Sequence, residues 1–95
     1  MKEQEEISDR LKKYLALTEK ALKKASSKKD KNKEKEANVI LDMAKRYYDD
    51  ALYFKGKKEF LIALCSVSYA HGWLDCGSRL GFFKVKDNKL FITEE

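Results

Sequence analysis

His71, Asp75 and Arg79 recur at every fourth position of the string YAHGWLDCGSRLGFF, residues 69–83. Side chains four apart are neighbours on a helix, so these three can touch in a row. An imidazole oriented by a carboxylate has the makings of a general base. The same row also reads as a polar network that satisfies a half-buried Asp beside an Arg. His71 is the single histidine of the chain, and no nucleophile stands next to it. Ser68 and Ser78 lie in a helical pattern without the strained elbow that activates a serine. No catalytic residue is therefore assigned.

Metal chemistry has no better support in the spacing. Cys76 adjoins Asp75, but it projects from a different helical face than His71. No CxxC, HxxxH or ExxH pattern supplies the usual ligand set. No metal ligand and no cofactor is expected. Gly72, Gly77 and Gly81 form no phosphate-binding loop. Gly72 and Gly77 sit inside a helical pattern, which suggests close approach of a neighbouring backbone or ring. Gly81 is the simplest end for that helix.

The second chemical candidate is basic. The chain carries a formal charge of +5, and residues 23–35 alone hold seven Lys against Asp30 and Glu34. Lys23, Lys24, Lys28, Lys29, Lys31, Lys33 and Lys35 could contact phosphates. The run lacks arginine and interleaved aromatics, so nucleic-acid binding is the alternative reading and a solvated loop is the plain one.

The elements that must position these groups are helical. The chain has 95 residues, no proline and four glycines, and 39% of its residues are charged. That suits a single domain of long helices with a modest core. The periodicity of Ile7, Leu11, Leu15, Thr18, Leu22 and Ala25 predicts a first helix over about 4–25. Serines and lysines at 26–33 predict a mobile loop. Ala37, Ile40, Leu41, Ala44, Tyr48, Ala51 and Leu52 predict a second helix over about 33–55. Its alanine seam is expected to face the first helix. Gly56 is expected at the left-handed position that ends it. The turn KGKK then sends a third helix, about 58–80, back antiparallel.

That third helix contains fifteen residues, Phe60 to Leu74, without one Asp, Glu, Lys or Arg. Laid on a helix, they make two apolar stripes. One holds Phe60, Ala63, Leu64, Val67, Ala70, His71, Leu74 and Ser78, and suits the bundle core. The other holds Ile62, Cys65, Tyr69, Trp73, Cys76 and Leu80. Two partner helices cannot cover a whole circumference. The second stripe is expected to lie partly under the tail, residues 82–95, as a short arm or hairpin turning at Lys86–Lys89, and partly against a second copy of the chain. Cys65 and Cys76, eleven residues apart, are expected to be free thiols, buried or half-buried. On one helix they would sit ~16 Å apart along the axis, too far for a disulfide.

The fold class read from these patterns is all-α: an antiparallel up-down three-helix bundle with a short extended or hairpin tail packed on helix three. Residues 53–83 resemble the signature half of domain-of-unknown-function family 357. The match rests on Ser68-Tyr69-Ala70, Gly72-Trp73-Leu74-Asp75, Gly77 and Arg79-Leu80-Gly81. The resemblance implies a small helical protein of an archaeal cytoplasm and no assigned reaction. The acidic, polar N-terminus does not read as a signal peptide, and the uncharged block is shorter than the ~20 residues that cross a bilayer. The expected function is a non-enzymatic protein-interaction module that uses Ile62, Tyr69, Trp73, Cys76 and Leu80. Its partner would be another protein or a second copy, not a membrane.

Overall fold

A computed structural model describes residues 2–87 and 89–91. Its elements are α1 (Lys2–Ser27), a 3₁₀ turn (Lys31–Lys33), α2 (Glu34–Gly56) and α3 (Phe60–Arg79). There are three long helices and no β-strand among the described residues, as an all-α reading requires. A lone antiparallel bridge joins Lys29 to Phe83.

Helix α1 runs two residues past its expected end. Ser26 and Ser27 donate their hydroxyls to the carbonyls of Leu22 and Lys24, at 2.7 and 2.9 Å. The bond to Lys24 helps satisfy one of the last four carbonyls of the helix, and the bond to Leu22 is a serine back-bond one turn earlier. The following segment holds the 3₁₀ turn and is tied to the tail by hydrogen bonds. Asp30 accepts from the Asn32 amide at 2.9 Å. Lys28 and Asp30 are tied by backbone bonds to Lys84 and Phe82.

The alanine seam of α2 serves both neighbours: Ala37 and Ala44 share a cluster with Ala21 and Ala25 of α1 and Leu74 of α3, and Ala51 shares one with Leu11 and Leu15 of α1 and Ala63 and Val67 of α3. Helix α2 packs most extensively on α3, α1 packs next most on α3, and α1 and α2 meet only slightly. The short turn between α2 and α3 keeps them adjacent along their length. Ala37, Ala44, Ala51, Ala63 and Ala70 are fully buried, and small side chains let backbones approach closely. Two apolar clusters result. One holds Leu11, Leu15, Ala51, Ala63 and Val67. The other holds Ala21, Ala25, Ala37, Ile40, Ala44 and Leu74, closed by Phe83, Val85 and Phe91 from the tail. Burying each Leu, Val or Phe side chain contributes about 1.5–3 kcal/mol.

The α2–α3 turn corrects one glycine assignment. Helix α2 continues through Gly56, and the left-handed residue is Lys58, with φ of 62°. Glu59 N–H donates to Phe54 O and Lys58 N–H to Lys55 O, both at 2.9 Å. That pair of bonds is the Schellman motif, displaced two residues from the glycine. A non-glycine residue there bears a steric cost that glycine avoids. Lys58→Gly is therefore expected to stabilise the fold by about 0.5–1 kcal/mol in urea unfolding, since glycine's larger unfolded-state entropy offsets part of the gain. Helix α3 ends in the same motif with the expected residue. Gly81 has φ of 79°, Phe82 N–H donates to Gly77 O, and Gly81 N–H donates to Ser78 O.

The tail's destination is the second correction. Its described residues, 82–87 and 89–91, run to the inner face of α3 and leave Ile62, Tyr69 and Leu80 of the outer stripe exposed. Phe83 is buried against Gly77, where the nearest ring carbon lies 2.5 Å from the position a Cβ would take. The tail then turns at Asp87, whose carbonyl accepts from the Leu90 and Phe91 amides. Leu90 returns to His71. Phe83, Val85 and Phe91 thus cap the first stripe of α3 and the open end of α1 and α2. The turn was expected at Lys86–Lys89; Asn88, with Ile92 to Glu95, lies outside the described residues.

Candidate functional site

With the tail in the core, the second stripe of α3 stays open. Ile62, Tyr69 and Leu80 are 47%, 55% and 53% exposed. Cys65 and Cys76 are free and exposed, not buried as expected. The fold leaves them outside because α3 already spends its inner face on both neighbours. Trp73 departs from the rest of the stripe. It is half-buried and packs against the tail-capped cluster. Its Nε1 is buried without a hydrogen-bond partner.

Aromatic rings stiffen this face. Tyr47 of α2 meets Tyr69 edge-on, with centroids 4.4 Å apart and planes at 90°. Tyr69 meets Trp73 the same way at 6.4 Å. Edge-to-face pairs contribute about 0.5–1.5 kcal/mol beyond the area they bury. Tyr69 is thus held at the centre of the stripe by rings on two helices while half its surface remains open. Its preorganisation reduces the side-chain entropy that docking would cost.

His71 has a different task from general base. Its Nδ1 lies 2.9 Å from the hydroxyl of the buried Thr18, and its Nε2 lies 2.6 Å from Leu90 O. A carbonyl only accepts, so Nε2 carries the proton and donates. In the neutral ring Nδ1 accepts from the Thr18 hydroxyl. Both nitrogens are occupied by the fold, and the imidazole fastens α1, α3 and the tail together. Asp75 Oδ1 stands 3.9 Å from Nε2. His71 and Asp75 share a groove with Tyr14, Thr18, Ser68 and Lys89, whereas Arg79 is exposed at the end of α3 and does not line it. His71 is thus a structural latch, with Asp75 beside it and Arg79 at the end of α3.

The lysines of 23–35 spread over several partners. Lys23 pairs with Glu19 at 3.7 Å, and Lys24 with Asp87 at 3.1 Å. Lys29 reaches Asn38 and Glu34, and Lys33 lies over the Phe82 ring. Lys31 and Lys35 are exposed. Their neighbour Asp30 is held below the ordinary carboxylate range, first by the Asn32 amide and then by Lys84. Asp87 is lowered in the same way by Lys24 and the Lys89 amide.

Sequence reasoning missed one concavity, the groove between α1 and α2. Leu22, Leu41 and Tyr48 line it, and Glu19, Lys23, Asp42, Lys45 and Asp49 form its charged rim. The slight contact between α1 and α2 leaves it open. Burial, and then the Glu19 carboxylate 3.3 Å away, push the Tyr48 phenol above its ordinary range. Among the described residues, no three His, Cys, Asp or Glu side chains are grouped to hold a metal ion. No helix among them is long and apolar enough to cross a membrane.

A family model described as a protein of unknown function, DUF357, matches residues 13–83. No curated protein and no solved structure matches the chain. The matched span contains α2, α3, most of α1 and the Phe83 that docks on Gly77. On that match, the chain belongs to the DUF357 family.

Proposed function

We propose that the chain is a non-enzymatic interaction module that docks through the outer stripe of α3, with a second copy of itself as the occupant. The arrangement would be an up-down bundle whose α3 stripes meet about a two-fold axis. The observation that carries this reading is the half-open Tyr69, held by Tyr47 and Trp73 between exposed Ile62 and Leu80. The uncharged run from Phe60 to Leu74 offers no like-charge repulsion to a copy of itself. A two-fold contact is self-complementary by construction. His71 supports no competing catalytic reading, because the fold employs both its nitrogens.

The two stripe cysteines report on the contact. Alkylation of Cys65 and Cys76 should slow at least several-fold as protein concentration rises through the association range. In Tyr69→Lys the alkylation rate should be fast at every concentration. Rates that ignore concentration in the native chain would reject self-docking through this face.

A further inference from the structure

The tail carries three lysines that the basic run at 23–35 did not include. Lys84, Lys86 and Lys89 come to the end of α1 and line one open trough with Lys24, Lys28, Val85 and Asp87. Backbone pairing sets the arrangement. Lys84 N–H donates to Lys28 O at 2.7 Å, and Asp30 N–H donates to Phe82 O at 2.9 Å. The Asp87 carboxylate accepts from the Lys89 amide at 2.9 Å, which fixes the turn that brings Lys89 back. Five lysines from two segments some sixty residues apart thus line one open surface.

Two of the five are partly neutralised. Lys24 pairs with Asp87 at 3.1 Å, and Lys84 with Asp30 at 3.4 Å. In both pairs the lysine side is the more open one, 69% exposed for Lys84 and 42% for Lys24, so a further anion can still reach it. Lys28, Lys86 and Lys89 have no ion-pair partner among the described residues. Lysines at a helix C-terminus favour the helix dipole, which accounts for Lys24 and Lys28. It does not account for three more on a tail that returns to the same place. Like charges repel, so gathering them on a docked tail costs stability that an anionic ligand would recover.

We infer that this trough binds the phosphate backbone of a nucleic acid. The ligand class follows from the side chains. Lysine presents a point charge without the planar fork that selects a single carboxylate or phosphate, so five in an arc suit a repeating anion. No aromatic or arginine lines the trough to read bases, so the binding is independent of sequence. The trough differs from the outer stripe of α3, and the inference does not rest on self-docking there.

Fluorescence anisotropy with a labelled mixed-sequence RNA strand, repeated with a DNA duplex, tests it. Four or five phosphate contacts give a log–log salt slope of about −3 on a single strand. Lys28→Ser/Lys86→Ser/Lys89→Ser should flatten that slope by about 2 and weaken low-salt binding by about tenfold or more. These side chains are exposed, and circular dichroism should show the triple variant folded. A matched control, Lys29→Ser/Lys31→Ser/Lys35→Ser, removes as much charge from nearby positions outside the trough and should bind nearly as the native chain does. Equal loss in both variants would overturn the trough as a site, leaving only net charge. No binding of either nucleic acid by the native chain would overturn it as well. So would displacement of the RNA by millimolar inorganic phosphate, which marks a small-anion site, or binding confined to phosphatidylserine vesicles.

Discussion

Phe83→Ala should destabilise the fold by about 3–5 kcal/mol, the usual cost of emptying a buried aromatic site. A domain of this size has about 5–15 kcal/mol in total, so the variant would stand near the edge of folding. The ring is 2% exposed and sits between Gly77 of α3 and the alanines of α1 and α2. It is also the first tail residue in the core, so Val85 and Phe91 lose their alignment when it goes. The melting temperature should fall by about 4–8 °C for each kcal/mol lost. Thermal unfolding by circular dichroism checks this. A loss under about 1 kcal/mol would mean that the tail is not part of the core.

The second large effect comes from the other side of the same contact. A Cβ at Gly77 would lie 2.5 Å from one Phe83 ring carbon and 3.0 Å from Ile40 Cγ2. Alanine ordinarily gains about 1 kcal/mol over glycine inside a helix. Overpacking of a filled site costs about 1–3 kcal/mol, so Gly77→Ala should be destabilising on balance. Gly72 provides the contrast, since nothing lies within 4 Å of its Cβ position. Gly72→Ala should stabilise by about 0.5–1 kcal/mol. In a Phe83→Ala background the Gly77→Ala change should turn neutral or favourable, because the ring it struck is gone. That change of sign, read from a double-mutant cycle, separates a steric notch from a general dislike of alanine at residue 77.

These residues also show what was legible beforehand. The three helices followed from apolar spacing, because each presents a stripe at helical period. Gly81 was legible as a helix end, since its pattern and residue type agree. Gly56 was not, because the turn places Lys58 in the left-handed position and a lysine carries no such signal. Gly77 and Gly72 look alike in sequence, and only the path of the tail distinguishes them. Apolar tail residues declare that they will be buried without declaring where. Their placement on the first stripe left the second one open and moved Lys84, Lys86 and Lys89 beside Lys24 and Lys28. Thr18, the partner of His71, reads from its spacing only as a core position, although most buried hydroxyls find a hydrogen bond.

The outer stripe of α3 is the surface on which the proposed function stands. Its most direct test is the mass of the native chain by sedimentation equilibrium across a wide concentration range, beside Tyr69→Lys. The native chain should rise from one copy to two, and Tyr69→Lys should remain a folded single copy throughout. A native chain that stays at the mass of one copy at the highest concentration, or a variant that pairs as tightly as the native chain, would contradict it.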